Sequence, residues 1–329
     1  MDVSTVTVVS FSPTGATRGV AKRLGSAIAR GLGCELDICD FTLPALREAR
    51  AFAADELVVL GMPTYAGRVP NKALPLLREL FSGAGGPCVP VVTYGGRAFD
   101  DALSELAGEL RGMGLVPVAA AAVPCAHAFS DDIGAGRPSD EDLVGIMGLG
   151  YAVADALSRG LPLGELEVPG SWPASPYYTP LGTDGEPARF LKATPVTDLG
   201  ACVDCGTCAK VCPMGTVRDG RPWDSLGICI KCQACVEACP TGARGFDDEA
   251  FLSHVEMLRR TVTGADDPLL LLAPAAGEGA DDVARRLEAG RLRAAQERWH
   301  YVWDPAGERR WIENELDMAE LLASLVGGE

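Results

Sequence analysis

The sequence predicts an α/β protein: a doubly wound parallel sheet, then a small cysteine-rich α+β module, then a short α+β tail. Three observations predict it. Over the first 160 residues, short β-rich runs alternate with helical patterns, the signature of a parallel sheet covered on both faces. Residues 161–198 lose that periodicity and become rich in Pro and Gly. Beyond them, "CVDCGTCAKVCP" from Cys202 and "CIKCQACVEACP" from Cys229 repeat one spacing, C-x2-C-x2-C-x3-C-P.

The elements of the first unit follow from hydrophobic period. "STVTVVSFS" (4–12) is a buried strand and "GVAKRLGSAIARGL" (19–32) an amphipathic helix. "CELDICDF" (34–41) alternates as a strand does, and "DELVVLGMP" (55–63) is a buried strand running into a proline loop. "NKALPLLRELFS" (71–82) reads as a helix and "CVPVVTYGG" (88–96) as a strand ending in glycines. "DALSELAGELRGMG" (101–114) is a helix with a glycine stop, "LVPVAAAAVP" (115–124) a strand, and 140–159 a last helix. The expected organisation is a first domain over 1–160, an arm over 161–198, the cysteine domain over 199–262 and a tail over 263–329. The tail should hold a helix (280–297), a hairpin (298–313) carrying Trp299, Trp303 and Trp311, and a final helix (314–325).

Composition narrows the function classes. A net charge of −16 argues against nucleic acid or an anionic membrane as partner, and suits docking to a basic patch on a redox protein. The longest apolar runs are too short for a spanning helix, and the acidic N-terminus is no export signal. The expectation is a cytoplasmic chain whose cysteines are ligands or buried thiols rather than disulfides.

Three cysteines at successive steps of three cannot share one helical face, but a loop can wrap them round corners of a cube. Thiolate is the soft ligand that iron–sulfur clusters require. Structural zinc is the alternative, although it usually takes two paired C-x2-C units rather than a third cysteine at the same step. The twin runs, each closed by proline (Pro213, Pro240), resemble the bacterial two-[4Fe–4S] ferredoxin module, in which the fourth cysteine serves the other cluster. That resemblance implies one cluster on Cys202, Cys205, Cys208 and Cys239 and another on Cys229, Cys232, Cys235 and Cys212.

The turn "SFSPTGATRG" joins the first strand to the first helix, where hydroxyls and free helix N–H groups can meet a phosphate. It lacks the lysine of a nucleotide-hydrolysing P-loop, and it is not GxGxxG. The pattern Ser12-x-Thr14-Gly15-Ala16-Thr17 resembles the FMN phosphate loop of flavodoxins, with Ala16 where that family usually has Asn. The ring-binding loops of that family would then be Pro63, Thr64, Tyr65 and Gly67 after the third strand, and Thr93, Tyr94, Gly95 and Gly96 after the fourth. They lie at the carboxyl ends of strands, where this kind of sheet binds ligand. A flavodoxin-like domain, a proline-rich arm and a two-cluster module together resemble the fused flavodoxin–ferredoxin proteins of anaerobes, a likeness covering residues 4–262.

The resemblance implies an electron carrier linking FMN, two [4Fe–4S] clusters and redox partners. The alternatives are a reductase that converts a small molecule at FMN, and a sensing or docking module acting through the tail. Cys34, Cys39, Cys88 and Cys125 read as buried thiols; His127 could protonate or orient flavin; His254 and His300 receive no role. Arg68 and Arg97 could offset an anionic flavin or form surface ion pairs, and Asp100 and Asp101 should favour a helix dipole.

Overall fold

The architecture comes from a computed structural model, which describes residues 3–263 and 266–296 together with the backbone strands His300–Trp303 and Arg309–Ile312. The first unit contains β1 (Thr5–Ser10), α1 (Ala16–Leu32), β2 (Glu35–Asp40), β3 (Glu56–Pro63), α2 (Leu74–Leu80), β4 (Pro87–Tyr94), α3 (Ala102–Gly112), β5 (Ala119–Pro124) and α4 (Asp140–Ser158). Its five strands run parallel in the order β2-β1-β3-β4-β5. This is the flavodoxin-like doubly wound order, with its switch point between β1 and β3.

Both faces of the sheet are apolar, so successive residues of one strand enter different cores. Val9, Val58 and Leu60 pack with Phe11, Phe41, Leu77 and Leu103 on one face. Val6, Val8 and Val59 pack with Leu24, Ile28, Ile146 and Val153 of α1 and α4 on the other. Ser139 and Asp142 close a reciprocal capping box that starts α4.

The segment read as a tail contributes to this sheet. The run Leu269–Leu272 pairs antiparallel with β5, Leu269 opposite Ala122 and Leu272 opposite Ala119. It covers the sheet edge that β5 would otherwise expose. The next helix, Ala280–Gln296, packs on α4 through a cluster containing Ala27, Met147, Tyr151 and Ala294, with Arg293 over the Tyr151 ring at 4.0 Å. The predicted hairpin is present as paired backbone strands, Trp303 opposite Arg309. Trp299 and the predicted helix 314–325 lie outside the described residues.

In the cysteine module, β6 (Val196–Thr197) pairs with β7 (Arg244–Gly245), enclosing α5 (Thr207–Lys210) and α6 (Ala234–Glu237). The helix α7 (Glu249–Thr261) follows. Phe251 of α7 meets Phe246 at 4.4 Å, Phe129 of the loop after β5 at 4.8 Å and Phe190 of the arm at 5.4 Å. This aromatic cluster joins all three parts of the chain. Among the described residues, no helix is long and apolar enough to cross a membrane.

Candidate functional site

The carboxyl ends of β1, β3, β4 and β5 surround a cavity of about 280 Å³. Gly15 begins α1 in the left-handed region, φ 88°, where a side chain would be strained. The turn is held by Ser12, whose N–H donates to Thr42 Oγ1 at 2.7 Å and whose Oγ accepts from the Arg18 N–H at 3.0 Å. The Thr17 and Thr93 hydroxyls meet at 2.7 Å, tying the loop after β1 to the end of β4. Ser12, Thr14, Ala16 and Thr17 line the cavity, as do Pro63, Thr64, Tyr65 and Gly67, and Thr93, Tyr94 and Gly95. Gly15 and Gly96 shape the turns without lining it.

Tyr94 is almost wholly buried against Phe99 at 5.5 Å, and burial pushes its hydroxyl up to about 12. It belongs to the core as well as to the cavity wall. Gly95 is required by a close approach: a Cβ there would come within 2.2 Å of the His127 ring. His127 lines the cavity, and its Nδ1 accepts the Phe129 N–H at 3.1 Å. That leaves the proton of the neutral ring on Nε2. Burial, aided by neighbouring His254, holds His127 down at about 4, so the ring is neutral at pH 7.

Several residues reach this cavity from parts of the chain that the sequence did not connect with it. The arm is laced to the first domain. Its Ser171 and Ser175 N–H groups donate to the Asp101 carboxylate at 2.9 and 2.8 Å, its Tyr177 hydroxyl donates to the Val69 carbonyl at 2.8 Å, and its Tyr178 N–H donates to the Ala66 carbonyl at 2.9 Å. Tyr178, Pro180 and Phe190 thereby wall the cavity, and Arg97 lies over the Tyr178 ring at 4.0 Å. The aromatic pair Tyr177–Tyr178 in a Pro-rich stretch was the available signal. His254, given no role from sequence, also lines the cavity, with Nδ1 2.8 Å from the Leu181 carbonyl.

Two expectations change. The Asp101 carboxylate serves the arm rather than the helix dipole, and these N–H groups hold it below the usual carboxylate range. Arg68 stands outside the cavity wall, paired with buried Glu105 and lying over Tyr177 at 4.9 Å. It braces the arm. Cys88 is a core thiol, Cys125 is buried at the cavity wall, and Cys34 and Cys39 are partly buried.

The eight module cysteines fall into two quartets. One small cavity is lined by Cys202, Cys205, Cys208 and Cys239, another by Cys212, Cys229, Cys232 and Cys235. Each quartet draws three cysteines from one run and the last from the other. Among the described residues, no three His, Cys, Asp or Glu side chains form a site for a single metal ion. Backbone amides turn toward the sulfurs: the Thr216 N–H lies 3.4 Å from Cys212 Sγ, and the Lys231 N–H 3.3 Å from Cys229 Sγ. Four thiols around a small cavity, with N–H donors at the sulfurs, are a donor set that suits an iron–sulfur cluster or tetrahedral zinc.

Residues 201–244 match the family model of the 4Fe-4S dicluster domain. With the sheet order above, that match decides the architecture. The chain joins a flavodoxin-like domain to a 4Fe–4S dicluster domain. No curated protein matches it in sequence. Among solved structures, a flavodoxin from the domain Archaea is 20% identical, with a TM-score of 0.33 over 47% of this chain and 99% of that one. An oxidoreductase from Corynebacterium diphtheriae is 13% identical, with a TM-score of 0.34 over 48% of this chain and 99% of that one. Rubredoxin oxygen:oxidoreductase from the anaerobe Desulfovibrio gigas is 18% identical, with a TM-score of 0.31, 48% of this chain covering 37% of that one.

The flavodoxin-like and dicluster parts share a wall. Ile230, Lys231 and Cys232 line both the large cavity and the Cys212–Cys235 cavity. Tyr65 lies against the same wall, its hydroxyl raised well above the ordinary tyrosine value by burial and by neighbouring Cys232 and Cys229. Pro222 and Arg244 in turn line both cysteine cavities. The three cavities are therefore consecutive, each separated from the next by one layer of residues.

Proposed function

We propose that this chain is an electron-transfer protein in which FMN exchanges electrons with two [4Fe–4S] clusters and, through them, with a redox partner. The observation that carries the reading is the shared Ile230–Lys231–Cys232 wall, because a cysteine of one quartet also faces the flavin cavity. FMN supplies two-electron chemistry with protons, and each cluster carries one electron at a time.

The chain's own residues do the rest. The Ser12–Thr17 loop and the start of α1 receive the phosphate, and the loops at Pro63–Gly67 and Thr93–Gly95 receive the ring. Cys212, Cys229, Cys232 and Cys235 hold the cluster beside the flavin. Cys202, Cys205, Cys208 and Cys239 hold the outer one. Cys205 is exposed, next to Asp204, and Asp219 approaches neighbouring Gly206. This acidic rim suits a redox partner with a basic patch.

A second reading, reduction of a small molecule at FMN, is favoured by one observation: His127 and His254 both line the cavity. His127→Gln separates the two. A carrier keeps its rate of flavin-to-cluster transfer, whereas a reductase loses turnover through the missing Nε2–H hydrogen bond to its substrate or flavin.

The test is anoxic purification with assay of FMN, iron and sulfide, followed by stopped-flow reduction. About one FMN with about eight iron and eight sulfide is expected, and cluster bleaching should follow flavin reduction within one chain, independent of protein concentration. Clusters without flavin after FMN is supplied, or bleaching only between chains, would overturn the reading.

A further inference from the structure

Arg244 stands between the two cysteine quartets and is 5% exposed. Its Nη1 donates to Thr197 Oγ1 and to the Pro222 carbonyl, both at 2.6 Å, and its Nη2 reaches Cys235 Sγ at 3.6 Å. It also lines the other quartet's cavity together with Cys239. One residue thus reaches both quartets, donating toward a sulfur of one and walling the cavity of the other. Its Nε is buried with no partner among the described residues. None of its side-chain partners is a carboxylate, and the nearby Asp224 is paired instead with Arg221 at 3.0 Å and Arg218 at 3.6 Å.

A permanently charged guanidinium buried without a carboxylate is costly unless other negative charge meets it. Thiolate-bound clusters supply that charge, and each becomes more negative by one on reduction. We propose that Arg244 is the shared counter-charge of the two clusters, raising the potentials of both, so that the pair takes up both electrons of a two-electron donor more readily. A two-electron donor emptied into the module places one electron on each cluster. A cation within reach of both clusters favours each of those electrons. This inference rests on the two-cluster reading above.

The test is a potentiometric titration, followed optically and by electron paramagnetic resonance, of the wild-type chain and of Arg244→Gln, which keeps N–H donors but removes the charge. In Arg244→Gln both steps should fall together, each by at least about tenfold in equilibrium constant, or 59 mV for one electron, while Arg244→Lys restores most of the loss. An Arg244→Lys variant with full iron whose potentials lie more than about tenfold below wild type would overturn the proposal, even if the glutamine variant fails to assemble. So would unmoved potentials in a glutamine variant with full iron. A wild-type chain with iron for one cluster removes the two-cluster reading, and this inference with it; full iron with unmoved potentials removes this inference alone.

Discussion

The cavity at the strand ends and the cysteine module lie one wall apart but differ in what holds them in shape. The cavity is a by-product of a folded sheet. Its loops leave strands whose side chains fill two extensive apolar cores, so the hydroxyls and glycines have fixed positions before any ligand arrives. The module has short strands, four-residue helices and few fully buried apolar side chains, chiefly alanines and the cysteines themselves. Exposed Leu199, Val203, Trp223, Leu226 and Ile228 show how little of its apolar surface the module buries. One region is pre-organised by hydrophobic burial; the other has little apolar core of its own.

Removing the clusters should affect the two regions unequally. Chelation under reducing conditions is expected to abolish ordered structure over residues 196–246 while β1 to α4 remain folded and retain flavin. Hydrogen exchange measured by mass spectrometry checks this; uniform protection across both regions would erase the distinction. Next in size, Gly95→Val drives a side chain into the His127 ring. Overpacking of this kind costs about 1–3 kcal/mol, so FMN affinity should fall about tenfold or more with iron content unchanged, as titration calorimetry and iron assay would show.

Acid should act on the flavin side. His127 is held at about 4 in the fold, against about 6.5 when unfolded. Between those values the unfolded chain binds more protons, so its contribution to stability is complete above pH 6.5 and falls as pH drops toward 4. The partly exposed ring makes the expected loss on the order of 2 kcal/mol. Denaturation of wild type and His127→Gln at several pH values measures it; equal slopes would remove the assignment. The smallest effect is that of Asp101→Ala, which takes the acceptor from the Ser171 and Ser175 amides. A loss of about 1–2 kcal/mol should appear as faster exchange in the arm, without loss of iron.

Much of this was legible in advance, for local reasons. The alternation of apolar runs and helical patterns survives in all five parallel strands; four of them are buried on both faces, while the edge strand β2 is exposed or half-buried along its length. Ser12, Thr64 and Thr93 could be singled out because loops at strand carboxyl ends are short and their hydroxyl and glycine content is diagnostic. Leu269–Leu272 was not legible as a strand, since four leucines have no alternation and their partner is the free edge of β5, 147 to 153 positions earlier. Tyr178 and His254 were missed because nothing in the arm or in α7 states where those segments return.

The order of residues alone determines which side chains carry the chemistry: a thiolate at each required step, a hydroxyl loop at a helix start, strands apolar enough to place that loop. These depend on spacing within a few residues, which the chain cannot alter. Only the tertiary structure decides that Cys232 faces the cavity at the strand ends, that Tyr178 walls it, and that Arg244 lies between both quartets. Those juxtapositions join residues far apart in the chain, and they follow from how the sheet, the arm and the module pack against one another.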